Sequence, residues 1–132
     1  MYVRNKADIA KLILRLVFGG FMLFGHGWGK MIKLFTEVPL EFRDPIGLGV
    51  STSLGLAVFA EVLCAFFILV GIFTKWANVP LIITMLVAAF IVHGGDPFGG
   101  KEKALIYLFG YISIWLLGPG KYSLDAQIRG TL

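Results

Sequence analysis

Two residues carry formal charge where the surrounding sequence makes charge expensive. Arg15 lies in an apolar run from about Ile9 to Gly29, and Glu61 is the single charge in a run from about Leu48 to Phe73. Ionisable groups inside such runs face a bundle interior or a cavity and take partners there. Arginine keeps its proton, so it must reach an interface or find an acceptor. Arg15 lies a few turns into its run and Glu61 near the middle of its own, so at ~1.5 Å rise per residue their levels differ by about one to two turns. An Arg15–Glu61 ion pair is therefore expected between the first two runs. It would fix helix register, or Glu61 would act as a proton-accepting carboxylate beside a bound ligand.

A second group of reactive types gathers at one end. His26 and Lys30 close the first run, and His93 and Asp96 close the third. Glu102 and Tyr107 open the fourth. With alternating helices these six come to one level and could line a single outward-facing pocket. Two imidazoles, two carboxylates, a phenol and an amine could hydrogen-bond the carbonyls of a quinone and relay protons through histidine. A plainer reading makes Trp28 a headgroup anchor and Lys30 a snorkelling cation. No metal is assigned, since neither HxxxH nor CxxC spacing occurs. Cys64, alone and in an apolar run, reads as a small buried side chain.

These side chains need elements to hold them. The 132 residues are 58% hydrophobic and only 15% charged, with a mean hydropathy of +0.84. A soluble chain this short has no interior large enough for that apolar content. Four continuous runs, about 9–29, 48–73, 76–93 and 101–117, meet the length of a membrane-crossing helix. They do not alternate as barrel strands do, and open backbone cannot face lipid. The expected fold is all-α, an integral membrane four-helix bundle in one domain covering 1–132. The first run resembles a signal peptide in charge and hydropathy but lacks a small-residue cleavage site, and reads as a retained span. Pro80 falls in the first turn of the third run, and Gly118-Pro119-Gly120 stops the fourth.

The formal charge of +4 is not gathered into a basic stripe with aromatics, so nucleic acid is excluded as a partner; membrane lipids are expected to meet these cations. Arg4, Lys6, Lys11, Lys75, Lys121 and Arg129 lie on one side, with Arg15 close by. Lys30, Lys33, Arg43, Lys101 and Lys103 lie on the other. This bias places both termini in the cytoplasm, in a multi-pass protein of the cell's inner membrane. A contact between Lys75 and Asp125 would clasp the tail to the loop between spans two and three.

Several segments together resemble the DoxX family (DoxX/DoxD-like proteins). They are Arg15, His26-Gly27-Trp28-Gly29-Lys30, Glu61, Gly71-Ile72-Phe73-Thr74-Lys75 and Gly118-Pro119-Gly120-Lys121-Tyr122-Ser123-Leu124-Asp125. The likeness runs from about Leu12 to Ile128, with lysine at 75 where arginine is also common. The resemblance implies a four-helix bacterial or archaeal membrane protein. Some relatives resemble membrane subunits of sulfur-compound:quinone oxidoreductases, and others are linked to quinone, oxidative or thiol stress responses.

The leading expectation is a redox-associated membrane protein that binds a quinone or similar lipophilic molecule, as a component of an oxidoreductase complex. No flavin or nicotinamide fingerprint and no cluster cysteines occur, so a redox partner protein would supply the electron carrier. No catalytic residue is assigned, and whether the chain is itself an enzyme stays open. The alternatives are a non-catalytic scaffold or assembly factor, and a small transporter formed as a homo-oligomer.

Overall fold

The computed structural model describes residues 2–129, all-helical in their regular elements. Span one is a continuous helical rod: an α-helix Tyr2–Met22, a π-helical turn Leu23–Gly27 and an α-helix Trp28–Thr36. Span two is Val50–Val70 and span three Thr74–Val92, each with its own π turn, at Phe59–Cys64 and Ala88–Val92. Span four is Phe98–Leu117, followed by a short helix Leu124–Arg129. Spans two and three have the length and apolarity of a membrane crossing, with mean hydropathies of 2.4 and 1.8. Span one packs on spans two and four, and span three packs on the same two, which closes a four-helix ring.

The outside is apolar and the inside holds the charge. Phe21, Phe24, Phe90, Phe109 and Leu116 point away from the bundle, whereas Arg15, Glu61 and Asn78 are buried. Lipid tolerates that surface, and the polar groups inside take most of their partners from protein, although the Asn78 side-chain oxygen and the Thr74 hydroxyl find none among the described residues. Between these groups, Met22, Ala60, Ala65, Ile68, Leu81, Leu108 and Ile114 form the core.

Two glycines set the register of spans one and two. A Cβ on Gly19 would sit 2.8 Å from the Leu69 amide nitrogen and 2.9 Å from the Ala65 carbonyl oxygen. A Cβ on Gly27 would collide with the Glu61 carbonyl. The two backbones therefore touch where side chains would normally separate them. This register levels Arg15 with the end of span two and Glu61 with the π turn of span one. Leu69, beside Arg15, is eight residues from Glu61, or roughly 12 Å along the axis. Span one is also longer than its apolar run at both ends, starting at Tyr2 rather than Ile9 and reaching Thr36 rather than Gly29. The extension is seven residues at each end and leaves the centre of span one at Gly19, so the packing register, not the extra length, sets Arg15 about two turns from Glu61.

Arg15 consequently has no carboxylate partner at Glu61. The guanidinium, only 2% exposed, donates to four carbonyls: Nε to Ile68 at 3.2 Å, one terminal nitrogen to Pro119 and Tyr122 at 3.0 Å each, and the other to Leu69 at 3.3 Å. Ile68 and Leu69 belong to the last turn of span two, where carbonyls lack intrahelical donors and the helix dipole is negative. Gly71 ends that helix with φ +76°, in the left-handed conformation that admits a 6→1 bond from Ile72 N to Phe67 O of 3.0 Å. A Cβ there would lie 2.5 Å from Ser123 Cβ and 2.9 Å from Arg15 Cζ.

The tail clasp forms, but without Lys75. Asp125 accepts from the backbone nitrogens of Phe73 at 2.9 Å and Thr74 at 3.0 Å, and its own amide donates to Gly71 O at 2.8 Å. It thereby caps the N-terminus of span three, at the positive end of its dipole, and steadies Phe73 at φ +47°. Lys75 instead lies over the Trp115 ring, 5.4 Å from its centroid. Pro80 also sits deeper than expected, in the second turn, because span three begins at Thr74.

Arg15→Gln should remove most of the donors that tie spans one and two to the tail. A loss on the order of 3–5 kcal/mol is expected, the scale for removing one side of a buried charged contact. Unfolding of detergent-solubilised protein measures it, and wild-type stability in this variant would rule out the four-carbonyl anchor. Combined with Glu61→Gln, the effects should add, since the two residues share no partner.

Candidate functional site: a cavity beside an intramembrane ion pair

Glu61 pairs with Lys30. The Lys30 amine lies 2.7 Å from each carboxylate oxygen of Glu61. The Glu61 side chain is 2% exposed and that of Lys30 32%. Lys30 reaches this position because span one stays helical past Gly29, and because Gly27, one turn earlier, lets its backbone touch that of Glu61. Local backbone irregularity concentrates here. His26 lies in the π turn of span one and Glu61 in the π turn of span two, and the two turns are in contact. The third π turn ends immediately before His93. Such turns insert one residue into the helical ladder and recur at functional sites.

A cavity of about 300 Å³ opens on one side of the ion pair. Lys30, Glu61, Ser53, Thr84, Arg43 and His93 supply its polar lining, and Leu56, Ala57, Ile83, Val87 and Val92 its apolar walls. Leu56 and Ile83 are also half exposed on the outer surface of spans two and three, so the cavity borders the lipid-facing side. The loop over residues 37–49 forms the roof through Phe42, Pro45 and Ile46. That loop is fastened at two points. Arg43 donates to Val92 O at 3.0 Å. Asp44 accepts from Leu48 N at 3.0 Å, Gly49 N at 2.9 Å and Ser53 Oγ at 2.7 Å. These bonds, that from Ser53 foremost, hold the Asp44 carboxyl below its ordinary range.

The six residues expected in one pocket are divided. Lys30 and His93 line the cavity, and Asp96 bonds His93 Nδ1 at 2.8 Å. His26 lies elsewhere, edge-on to Tyr107 at 5.5 Å, in an aromatic group with Phe18 and Tyr111 between spans one and four. Tyr111 closes that group by donating to Phe18 O at 2.9 Å. Glu102 is exposed and borders a shallow groove between the same two spans. Equal height in the membrane brought these residues to one end, but their angular positions around the helices separate them. Ser53, Thr84 and Arg43 were not anticipated. The hydroxyls sit in apolar runs without a charge to mark them, and Arg43 lies in a loop whose fold over the cavity no periodicity reports.

Four helices with apolar exteriors, an internal ion pair and a cavity beside it define a small integral membrane bundle. The DoxX family model matches residues 10–94, well over half of the chain, and the protein belongs to the DoxX family. The match includes Arg15, His26, Lys30, Glu61 and His93; span four and the Gly118–Asp125 motif lie beyond it. No curated protein and no solved structure matches the chain.

Lys30→Met and Glu61→Met combined should destabilise the protein by less than the sum of the two single losses. A double-mutant cycle in detergent should give a coupling on the order of 1–2 kcal/mol. That is less than for a fully buried pair, because Lys30 remains partly in contact with solvent. Zero coupling would mean that the contact carries no net energy.

Proposed function

We propose that this DoxX-family membrane protein is redox-associated and holds a quinone or similar lipophilic molecule in the cavity between spans two and three. The observation that carries the reading is the cavity's polarity: an apolar enclosure bordering lipid, closed at its inner side by the Lys30–Glu61 pair. Ligand sites of this kind combine apolar walls with a few polar groups that orient the bound molecule. The Lys30 ammonium has three protons, and two are directed at Glu61. The third is available to a headgroup carbonyl, and Glu61 holds the amine in place. Protein thiols cannot run a dithiol cycle with Cys64 alone, so the electrons are assigned to a partner protein, with this chain as the membrane component of an oxidoreductase system.

In this reading the Arg15 end of the bundle faces the cytoplasm and the His93 end faces outward across the inner membrane, following the distribution of Lys and Arg. Gly99 suits a test because its Cβ position is open. In a Cys64→Ala background, Gly99→Cys should react with an impermeant thiol reagent added to intact cells, and Thr131→Cys should not. The opposite labelling would invert the topology.

Protein purified in mild detergent should yield a quinone on organic extraction, seen by its absorbance. It should also bind added decyl-ubiquinone. Ile83→Trp, which fills the cavity, should weaken that binding at least tenfold while leaving the unfolding temperature near wild type. Undiminished binding by this variant would place the ligand elsewhere. Absence of any quinone, together with a tightly co-purifying protein, would favour the scaffold reading.

A further inference from the structure

The mouth of the cavity is more heavily braced than a surface turn requires. His93 follows the third π turn, and its amide closes that turn by donating to Ala88 O at 2.9 Å. The carbonyls on either side of it are both taken. Arg43, from the roof loop, donates to Val92 O at 3.0 Å, and Lys101, from span four, donates to Gly94 O at 3.3 Å. Gly94 fits closely against the carbonyl of Phe90, where a Cβ would collide. Asp96 N donates to His93 O at 3.0 Å, and the Asp96 carboxylate meets His93 Nδ1 at 2.8 Å. Contacts from three parts of the chain thus brace the backbone around His93, whose imidazole is bonded by Asp96, lines the cavity and is 37% exposed.

A carboxylate can only accept, so Nδ1 carries the proton and Nε2 is the nitrogen left for the cavity. As imidazolium, His93 donates through Nε2 and suits a carbonyl oxygen. After giving up that proton, the same nitrogen accepts and suits a hydroxyl. The Asp96 contact is satisfied in both states, so the ring need not turn. Lys30, which also lines the cavity and is 32% exposed, is committed to Glu61, which leaves His93 as the imidazole that touches both cavity and water.

We infer that His93, positioned by Asp96, is the proton-exchange group at the mouth of the cavity, matched to a headgroup oxygen that alternates between carbonyl and hydroxyl. The inference rests on the cavity being the ligand site. Conversion of a quinone to its quinol takes two electrons, delivered by the redox centre of the partner protein, and two protons. His93 passes one proton from Nε2 to the nearer oxygen as its N–H bond breaks and the O–H bond forms. The farther oxygen takes the other from water, and the imidazole regains its proton from water at that end of the bundle. The charged groups around it are Lys30 from span one, Arg43 from the roof loop, Glu61 from span two, Asp96 from the turn and Lys101 from span four. Asp96 is a positioning residue, since its carboxylate is bonded to the opposite ring nitrogen.

Nitrogen NMR of histidine-labelled protein, with His93 assigned through His93→Gln, reads the neutral tautomer directly. Wild type should carry the proton on Nδ1, and Asp96→Asn should shift the population toward Nε2–H. A wild-type Nε2–H form, or no response to Asp96→Asn, would overturn the inference. Binding of decyl-ubiquinone and of its quinol gives the second arm. His93→Gln should weaken both about tenfold. Asp96→Asn should change the pH dependence of their affinity ratio, with a smaller loss of affinity. If wild type binds both and His93→Gln binds equally well, this inference fails while the cavity reading survives. If wild type binds neither, both fail together.

Discussion

An arginine in the interior of a membrane bundle keeps its charge, and its N–H donors need acceptors; four of the five find one here. Arg15 resolves this by collecting carbonyls rather than a carboxylate: two from the end of span two and two from the segment after span four. Much of the architecture at this end follows from that choice. Span two must stop where its last carbonyls face Arg15, which Gly71 achieves in a left-handed conformation. The tail must return across the bundle to bring Pro119 and Tyr122 within reach. Asp125 arrives with it and caps span three. A cation at the C-terminus of one helix and a carboxylate at the N-terminus of the next each meet the favourable end of a dipole.

That end of the bundle is closed and heavily bonded, and the other end is not. Spans one and two depart from regular helix at the Glu61 level and span three does so at its end, and a cavity opens between spans two and three. Regular packing along the lower core, from Ala65 and Ile68 to Leu81 and Ile114, holds the rods together. The irregular turns can then widen at one end without loss of the bundle. A ligand site needs this division, because walls that part for a lipophilic molecule must be anchored somewhere else.

The four helices were legible because lipid imposes a strong rule: long apolar runs with polar breaks. The stop at Gly118–Gly120 corresponds to a real helix end, whereas span two ends at Val70, short of the expected Phe73, and span three begins at Thr74 rather than Trp76. The pairing of buried charges was less legible. Arg15 and Glu61 are the evident complementary pair in a list of residues, but a list does not contain backbone carbonyls as acceptors. It also does not report that span one continues helically through Lys30 to Thr36. Gly19 and Gly27 are small enough for close approach, yet which partner each touches depends on tertiary packing. His26 shows the remaining limit. Depth in the membrane can be counted along a sequence, but the azimuth of a residue after a π turn cannot, and that turn helps direct His26 toward Tyr107 and away from the cavity.

Because Arg15 is satisfied by dipoles, Glu61 is left to a different cation, and the identity of that cation matters. A guanidinium bound to Glu61 would be a planar fork with its donors fixed in direction. Lysine instead places a compact amine on a flexible stem, with three donors that rotate about one bond. With two directed at Glu61, the third can follow a ligand without breaking the pair. Lys30 is also partly exposed, and its amine lies 5.9 Å from the centroid of the Phe42 ring in the roof loop. The same amine thus touches the buried carboxylate, the cavity and the segment that covers it.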